Sequence, residues 1–360
     1  MPSIDIEDVW KRYGSIVALR GINLHVDDGE YLCLLGPTGA GKTTLLKIIA
    51  GLVLQDKGRI LIDGIDMSNI PPEFRNTSYM PQGYALFPNM NVWENVAYGA
   101  WVRERDLKDA EHALKIMGLW NRRFSYPHEL SGGQQQRIAL ARALASGSKI
   151  LLLDEPLSAL DALLNLQLRF ELKKLAKNLG LTVIHVTHNP EVALSIADKI
   201  AILRKGVILQ IDEPNVIYNR PNNLFTANFL SRLNIFTGRV LGCRGRECLF
   251  KIEGLGEIYA YCNYDIDLDA VIGYRPEDVK IMTHGYEGLN IFTGYVKEIS
   301  NLGFFTRVIV NVNEYEVISY IWSGDYVPSI NDPVSVVFPS DKALVFPYPE
   351  EGLEEALSVE

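Results

Sequence analysis

At 360 residues the chain exceeds the roughly 100 to 200 residues of one ordinary domain, and its 48% hydrophobic and 22% charged content excludes a disordered or fibrous protein. The net charge of -9 is unevenly placed: residues 1–232 hold 26 Lys and Arg against 24 Asp and Glu, whereas residues 233–360 hold 9 against 20. An acidic last third repels phosphate backbones, so nucleic acid is excluded as its partner, and only the near-neutral first part meets polyphosphates without opposing its own field.

In chain order, Met1 to Trp10 carries Asp5, Glu7 and Asp8 and lacks the apolar core of a secretory leader. No stretch approaches the ~18 apolar residues of a membrane helix; Leu45 to Leu54 and Ile150 to Leu153 are broken by Gly51 and Asp154. An intracellular protein is expected. Strands are predicted at Tyr31 to Leu35, Thr77 to Met80, Ile150 to Leu153, Thr182 to Val186 and Ile200 to Leu203. Helices are predicted at Thr43 to Ala50, Gln134 to Ala145 and Leu160 to Leu179. The alternation implies a largely parallel sheet covered by helices, and Val92 to Gln136, with helical but no strand pattern, reads as a helical insertion.

After Arg232 the pattern becomes all-β, with strands predicted at Arg239 to Leu241, Leu249 to Ile252, Glu257 to Tyr261, Phe305 to Val312 and Tyr315 to Tyr320. Asn234-Ile235-Phe236-Thr237-Gly238 recurs as Asn290-Ile291-Phe292-Thr293-Gly294, each with a valine two positions on, and Pro276-Glu277-Asp278 is echoed by Pro339-Ser340-Asp341. Two copies of one β module are expected. The domains are therefore 1–232 (helical part about 88–145), a duplicated β domain at 233–348, and a frayed acidic tail at 349–360. Cys33, Cys243, Cys248 and Cys262 are too few for a disulfide scaffold and an intracellular compartment keeps thiols reduced, so free thiols are expected; no second pair or matching histidine completes a metal site at Cys243 and Cys248.

Gly36-Pro37-Thr38-Gly39-Ala40-Gly41-Lys42-Thr43-Thr44 follows a predicted strand and opens a helix, the setting of a phosphate-binding P-loop. Its glycines let successive N-H groups face a polyphosphate, the helix N-terminus adds about half a positive charge, Lys42 neutralises phosphate oxygens and the Thr43 hydroxyl can ligate Mg2+. Ile150 to Leu153 runs into Asp154-Glu155, which sets two carboxylates at the C-terminal edge of the sheet: Asp154 suits Mg2+, and Glu155 can polarise an attacking water. In Leu130-Ser131-Gly132-Gly133-Gln134, Ser131 reads as an N-cap and two glycines expose N-H groups. This is either a structural cap or a second anion site, and a second site implies a head-to-tail dimer sharing two nucleotides.

Together with Ser158-Ala159-Leu160-Asp161 and His188, these strings resemble the nucleotide-binding subunit of ABC transporters over residues 1 to about 232. The resemblance implies an α/β P-loop NTPase core of RecA-like type with a helical insertion, ATP and Mg2+ as cofactors, and ATP hydrolysis driving closure of a homodimer. It also implies roles by position. Tyr13 would stack on adenine, Gln82 would touch Mg2+ and the attacking water, Asp161 would communicate across the dimer, and His188 would hold the γ-phosphate. His185, inside a predicted strand, reads as a core residue. Asn189 departs from the aspartate usual in the family.

The β region, with Tyr274-Arg275-Pro276-Glu277, resembles the OB-like TOBE domain of importer ATPases. Partners implied are integral-membrane permease subunits and an external solute-binding protein, with the chain peripheral on the cytoplasmic face. The spacing of Gly99 and Leu130 and the duplicated module look most like molybdate or tungstate oxyanion importers; sugar, polyamine and iron importers are alternatives. A soluble ABC-type ATPase outside transport is a further alternative. An oxyanion site in the β domain would need Arg239, Arg275 or Arg307 to cluster.

Overall fold

The computed structural model describes residues 2–104, 106–262, 268–283 and 285–358. Its contacts divide the chain between Arg220 and Pro221 into two units.

In the first unit, Tyr31–Leu35 (β3) has every side chain buried, as expected of a strand covered on both faces. It sits inside a six-stranded sheet ordered Val207–Asp212 (β10), Lys199–Arg204 (β9), β3, Thr182–Thr187 (β8), Ile150–Asp154 (β7) and Thr77–Met80 (β6). All neighbours are parallel except the β9–β10 hairpin. Helix Lys42–Ile49 (α1) follows β3, Ala162–Leu179 (α5) joins β7 to β8, Pro190–Ile196 (α6) joins β8 to β9, and Pro214–Asn219 (α7) follows β10. Between β6 and β7 the described residues contain helices and no strand: Val92–Val102 (α2) and Lys108–Ile116 (α3) pack on Gly132–Ala145 (α4). A capping box of Asn91 and Glu94 starts α2, and Gly180 in the left-handed region ends α5.

A second sheet, antiparallel and ordered Ile16–Val26 (β2), Ile4–Tyr13 (β1), Lys57–Ile62 (β4) and Ile65–Asp66 (β5), has no counterpart among the predicted strands. The cause is local. Asp8 adopts φ +46° and the β1–β2 register shifts between Ile6 and Val9, so Ile4, Ile6 and Val9 all face the core without strict alternation. The core between the two sheets is formed by these residues with Leu24, Leu46, Ile60, Leu152 and Ile184. His185 is buried in β8, 2.9 Å from the Tyr31 hydroxyl, and burial pushes its imidazole down to about 3.

The described residues of the second unit form ten strands in two five-stranded sheets. Asn234–Arg244 (β11), Glu247–Ile252 (β12), Gly256–Tyr261 (β13), Asp269–Tyr274 (β14) and Lys280–Thr283 (β15) arise from the first copy of the repeat. Ile291–Asn301 (β16), Phe305–Val312 (β17), Tyr315–Trp322 (β18), Pro333–Val337 (β19) and Leu344–Pro347 (β20) arise from the second. The sheet orders, β13-β12-β11-β14-β20 and β15-β19-β16-β17-β18, are the same pattern with the fifth strand exchanged between copies. Even the irregularities match: a bulge follows Val240 in β11 and Val296 in β16.

The repeated asparagines join the copies. Asn234 donates to the carbonyls of Tyr274 (3.3 Å) and Ile318 (2.8 Å) and accepts from Ile318 N (2.7 Å). Asn290 donates to Phe338 O (2.8 Å) and Tyr259 O (2.7 Å) and accepts from Tyr259 N (2.8 Å). Each buried amide thus satisfies the backbone of a strand from the opposite copy. The repeated glycine has its own reason: a Cβ on Gly294 would lie 2.6 Å from Val310 Cγ1, and one on Gly238 3.1 Å from Ile252 Cγ1.

Two expectations are corrected here. Cys243 and Cys248 are disulfide-bonded, because they face each other across the β11–β12 hairpin with Cα atoms 4.1 Å apart; Cys33 and Cys262 are buried free thiols. The tail is also not frayed over its described part: Leu353–Leu357 (α9) sets Leu353 and Leu357 against Leu224, Ala227, Leu233, Val271 and Phe346. Residues at spacing i and i+4 make one apolar face despite the surrounding glutamates. Val359 and Glu360 lie outside the described residues. Leu224 and Ala227 belong to Leu224–Leu230 (α8), which therefore packs with the β strands although it precedes residue 232. Arg239 and Arg307 stand on different sheets and pair with Asp269 (3.6 Å) and Glu298 (3.5 Å), so these two arginines do not form the cluster an oxyanion would need.

Replacing Asn290 by alanine removes the partner of the buried Phe338 carbonyl and of the part-buried Tyr259 N-H and carbonyl. It should cost about 2 to 4 kcal/mol in urea unfolding, and Asn234→Ala should cost a similar amount. A loss below about 0.5 kcal/mol in both would show that the amides do not hold the copies together. For His185 the folded pKa is depressed, so its contribution is intact above pH 6.5 and is lost on acidification, by about 1.4 kcal/mol per unit down to about pH 3. The fall in Tm from pH 7 to 5 should be smaller in His185→Gln than in the native chain, and equal falls would reject this source of acid sensitivity.

Candidate nucleotide-binding site

The loop between β3 and α1 is fixed by contacts that leave no room for side chains. A Cβ on Gly36 would lie 2.1 Å from Leu203 O, and one on Gly41 2.5 Å from Ala18 O. Gly39 and Gly41 have φ of +82° and +105°, a region costly for other residues. Lys42 is buried, and its ammonium donates to Gly36 O (2.8 Å) and Pro37 O (2.7 Å), so the charge is held within the curl of the loop. Burial lowers its pKa, while Glu155 and Asp154 nearby act to raise it. Ala40, also buried, accepts from Gly206 N at 3.0 Å.

Next to the loop, Thr43 Oγ1 donates to Asp154 Oδ1 at 3.1 Å. Burial raises the Asp154 pKa, against the Thr43 hydrogen bond and the Lys42 charge, which lower it. The Tyr79 hydroxyl, 3.5 Å from Asp154, is pushed up to about 12 by burial and by that carboxylate. Glu155 follows with φ +51°; its N-H donates to Val186 O (3.0 Å) and its carboxylate lies 2.6 Å from His188 Nδ1. Asp154, Glu155 and His188 line one cleft of about 470 Å³ with Thr38, Gly39, Gly41, Lys42, Thr43, Thr44 and Gln82.

Gln82 is exposed at the start of a loop whose Tyr84 and Ala85 have φ of +63° and +47°. Arg142, from α4, donates to both of their carbonyls at 2.9 Å and stacks 5.3 Å over Phe87. Asn95, in α2, brackets Phe87 N and O at 2.9 and 3.1 Å. The loop that carries Gln82 is therefore tied to the helical insertion at two points.

The remaining predicted residues are not among those that line the cleft. Tyr13 is exposed and pairs with Ile16 across the β1–β2 turn; Ile16 does line the cleft, and Lys11 lies 5.5 Å over the Tyr13 ring. Ser131, Gly132, Gly133 and Gln134 form the first turn of α4, where Ser131 Oγ accepts from Gln134 N (3.3 Å) and Gln134 Oε1 accepts from Ser131 N (2.9 Å). The structural cap expected there exists, with Ser131 and Gly132 exposed. Asp161 caps α5, accepting from Leu164 N at 3.0 Å. Asn189 caps α6 through Glu191 N (2.8 Å) and Val192 N (3.4 Å), a task asparagine performs as well as aspartate.

Sequence reasoning missed Ala18, Arg20, Lys205 and Gly206, which complete the cleft wall. Lys205-Gly206 between two apolar runs signals a β9–β10 turn, but only the close approach of Gly206 to Ala18 O, 2.7 Å from a built Cβ, carries that turn to the P-loop. Chemically, the site offers N-H groups and the Lys42 ammonium for a polyphosphate, and a carboxylate beside an imidazole for a water. No cluster of three or more His, Cys, Asp or Glu suited to a metal occurs among the described residues. A Thr–Asp pair fits Mg2+, which takes its other ligands from phosphates and water.

The ABC transporter family description matches residues 19–158. The chain is 40% identical over 320 residues to the spermidine/putrescine import ATP-binding protein PotA of Nitrosospira multiformis, covering 87% of this chain and 88% of that protein. It is 42% identical over 288 residues to PotA of Aggregatibacter actinomycetemcomitans, covering 78% and 77%. Among solved structures, the ATP-binding cassette MJ0796, dimeric and bound to ADP and Pi in a post-hydrolysis state, matches with 33% identity and a TM-score of 0.55, over 59% of this chain and 98% of that one. The expectation of a molybdate or tungstate importer is not supported by these relatives, nor is that of a sugar importer; their names agree with the polyamine alternative. With a TOBE-like β domain behind an ATP-binding core that hydrolyses ATP, this chain belongs to the ATP-binding subunits of ABC importers.

Proposed function

We propose that the chain powers uptake of a polyamine as a homodimer. Each cleft would be closed by Ser131 to Gln134 of the other copy, and the dimer would be held at the cytoplasmic face of the membrane by permease subunits fed by an external solute-binding protein. The observation that carries the dimer is the separation within one chain: Lys42, Thr43, Gln82, Asp154, Glu155 and His188 share a cleft, while the capped, exposed turn at Ser131 does not line it. The polyamine reading is supported by relatives whose similarity spans 87% of the chain, too much to be confined to residues 1–220. No helix among the described residues is long and apolar enough to cross a membrane, which agrees with a separate permease.

ATP would lie with its phosphates on the N-H groups of Gly36 to Thr44, and Tyr13, near the mouth of the cleft, would stack on adenine. Lys42 would leave the carbonyls of Gly36 and Pro37 for phosphate oxygens, an exchange that keeps its charge partnered. Thr43, Asp154 and Gln82 would hold Mg2+, which when bound neutralises phosphate charge. Glu155 accepts the proton of the attacking water as the oxygen bonds to the γ-phosphorus and the bond to the β-phosphate oxygen breaks. His188, 2.6 Å from Glu155, orients that carboxylate and meets the γ-phosphate. Asp161, at the head of α5, would sense the other copy.

Glu155→Gln should lower turnover by about 100-fold or more while ATP binding persists and an ATP-dependent dimer accumulates in light scattering. Native turnover in that variant would remove Glu155 as the base. For the solute, the chain should be assembled with its permease subunits in vesicles. Uptake of labelled spermidine or putrescine should require ATP and vanish with Lys42→Ala, and uptake of molybdate or a sugar in their place would reject the polyamine reading.

A further inference from the structure

Glu155 stands on backbone that non-glycine residues avoid, at φ +51°, and it is only 8% exposed. Such a conformation costs on the order of 1 to 3 kcal/mol and persists only where neighbours hold it. Its N-H is held by Val186 O, and its carbonyl accepts from Gln136 Nε2 (3.0 Å) and Ser158 Oγ (3.1 Å). Gln136 is fully buried in α4, and both ends of its amide are used: Oε1 accepts from Ala159 N at 3.1 Å, and Nε2 also approaches Ser158 Oγ at 3.4 Å. One side chain therefore closes the turn from Glu155 to Ala159. The first turn of α4 touches the same segment, since a Cβ on Gly133 would lie 3.2 Å from Ala159 O.

We propose that Gln136 is a positioning residue for ATP hydrolysis. It fixes the strained Glu155 backbone in register with the start of α4, so that the base serving one nucleotide and the Ser131 turn offered to the other copy's nucleotide move as one body. This rests on the dimeric ATPase reading above. The helix supplies the rigidity: Gln136 lies five residues after Ser131 within one capped helix, so a shift of the turn is transmitted to the Glu155 carbonyl without slack. Glutamine suits the task because it offers a donor to the Glu155 carbonyl and an acceptor to Ala159 N from a single planar group.

The test uses the full-length chain with ATP and Mg2+. Gln136→Met keeps length and volume and removes both hydrogen-bonding functions, leaving the Glu155 carbonyl its Ser158 hydrogen bond. It should lower kcat by about 10- to 100-fold, as expected of a displacement near 1 Å at the reacting carboxylate, with KM for ATP changed less than about threefold. In a Glu155→Gln background the added Gln136→Met should still permit the ATP-dependent dimer. A kcat within threefold of native, or KM and dimer formation failing in parallel with kcat, would reduce Gln136 to a packing residue and overturn the inference. Should Gln136→Met not fold, Ser158→Ala removes the other side-chain hydrogen bond to Glu155 O at an exposed position. It should lower kcat severalfold at unchanged KM, and an unchanged kcat would equally overturn it. Turnover absent from the native chain would instead reject the ATPase reading on which this inference stands.

Discussion

Three stretches of main chain approach too closely for any side chain at Gly36, Gly41 and Gly206, where a built Cβ would lie 2.1 Å from Leu203 O and 2.5 and 2.7 Å from Ala18 O. That constraint locks the P-loop against β2 on one side and against β9 and its turn on the other. The rest of the cleft follows. With the loop fixed, Lys42 is the first residue of α1 and lies beneath its own loop carbonyls, and Thr43 meets the carboxylate at the end of β7. The antiparallel sheet that shares its core with the parallel one has a functional consequence: β2 supplies Ala18 and Arg20 to the nucleotide wall.

Polar groups around this cleft are arranged to be exchanged. Lys42 is bonded to carbonyls and Glu155 lies beside His188, and both contacts can be traded for phosphate or water without stranding a buried charge. Permanent ties hold the backbone instead. Arg142 and Asn95 secure the Gln82 loop, Gln136 and Ser158 secure the turn after β7, and Asn189 secures the start of α6. Ligand-facing side chains are thus free to change partners while their main chain is not.

Much of this was legible in the sequence because the signals were local. A buried five-residue strand, a glycine-rich string and a lysine at fixed spacing define β3, the P-loop and α1, and the register of β7 brings Asp154 and Glu155 to the sheet edge. The antiparallel sheet escaped notice because bulges at Asp8 and beyond break its alternation. Arg142, Asn95 and Gln136 escaped because the backbone atoms they bind lie 4 to 58 positions away, and a carbonyl has no residue type to recognise. The cysteine pair was misjudged by arguing from compartment, when the hairpin register alone sets the two sulfurs face to face. The solute was not legible because insertion length and a β repeat do not specify the chemistry of what is carried.

The exchanged strands of the β unit bear on how the chain is made. β14 gains its outer neighbour only when β20, ending at Pro347, has been synthesised, although β14 itself ends at Tyr274. Until then the first sheet presents an open edge, and β15, which ends at Thr283, finds its partner strand only once β19, ending at Val337, has also been made. Pairings so distant in sequence form slowly and late. The two copies therefore cannot mature one after the other on the ribosome, and a chain stopped between Tyr274 and Leu344 carries an unsatisfied strand edge that invites association with its neighbours.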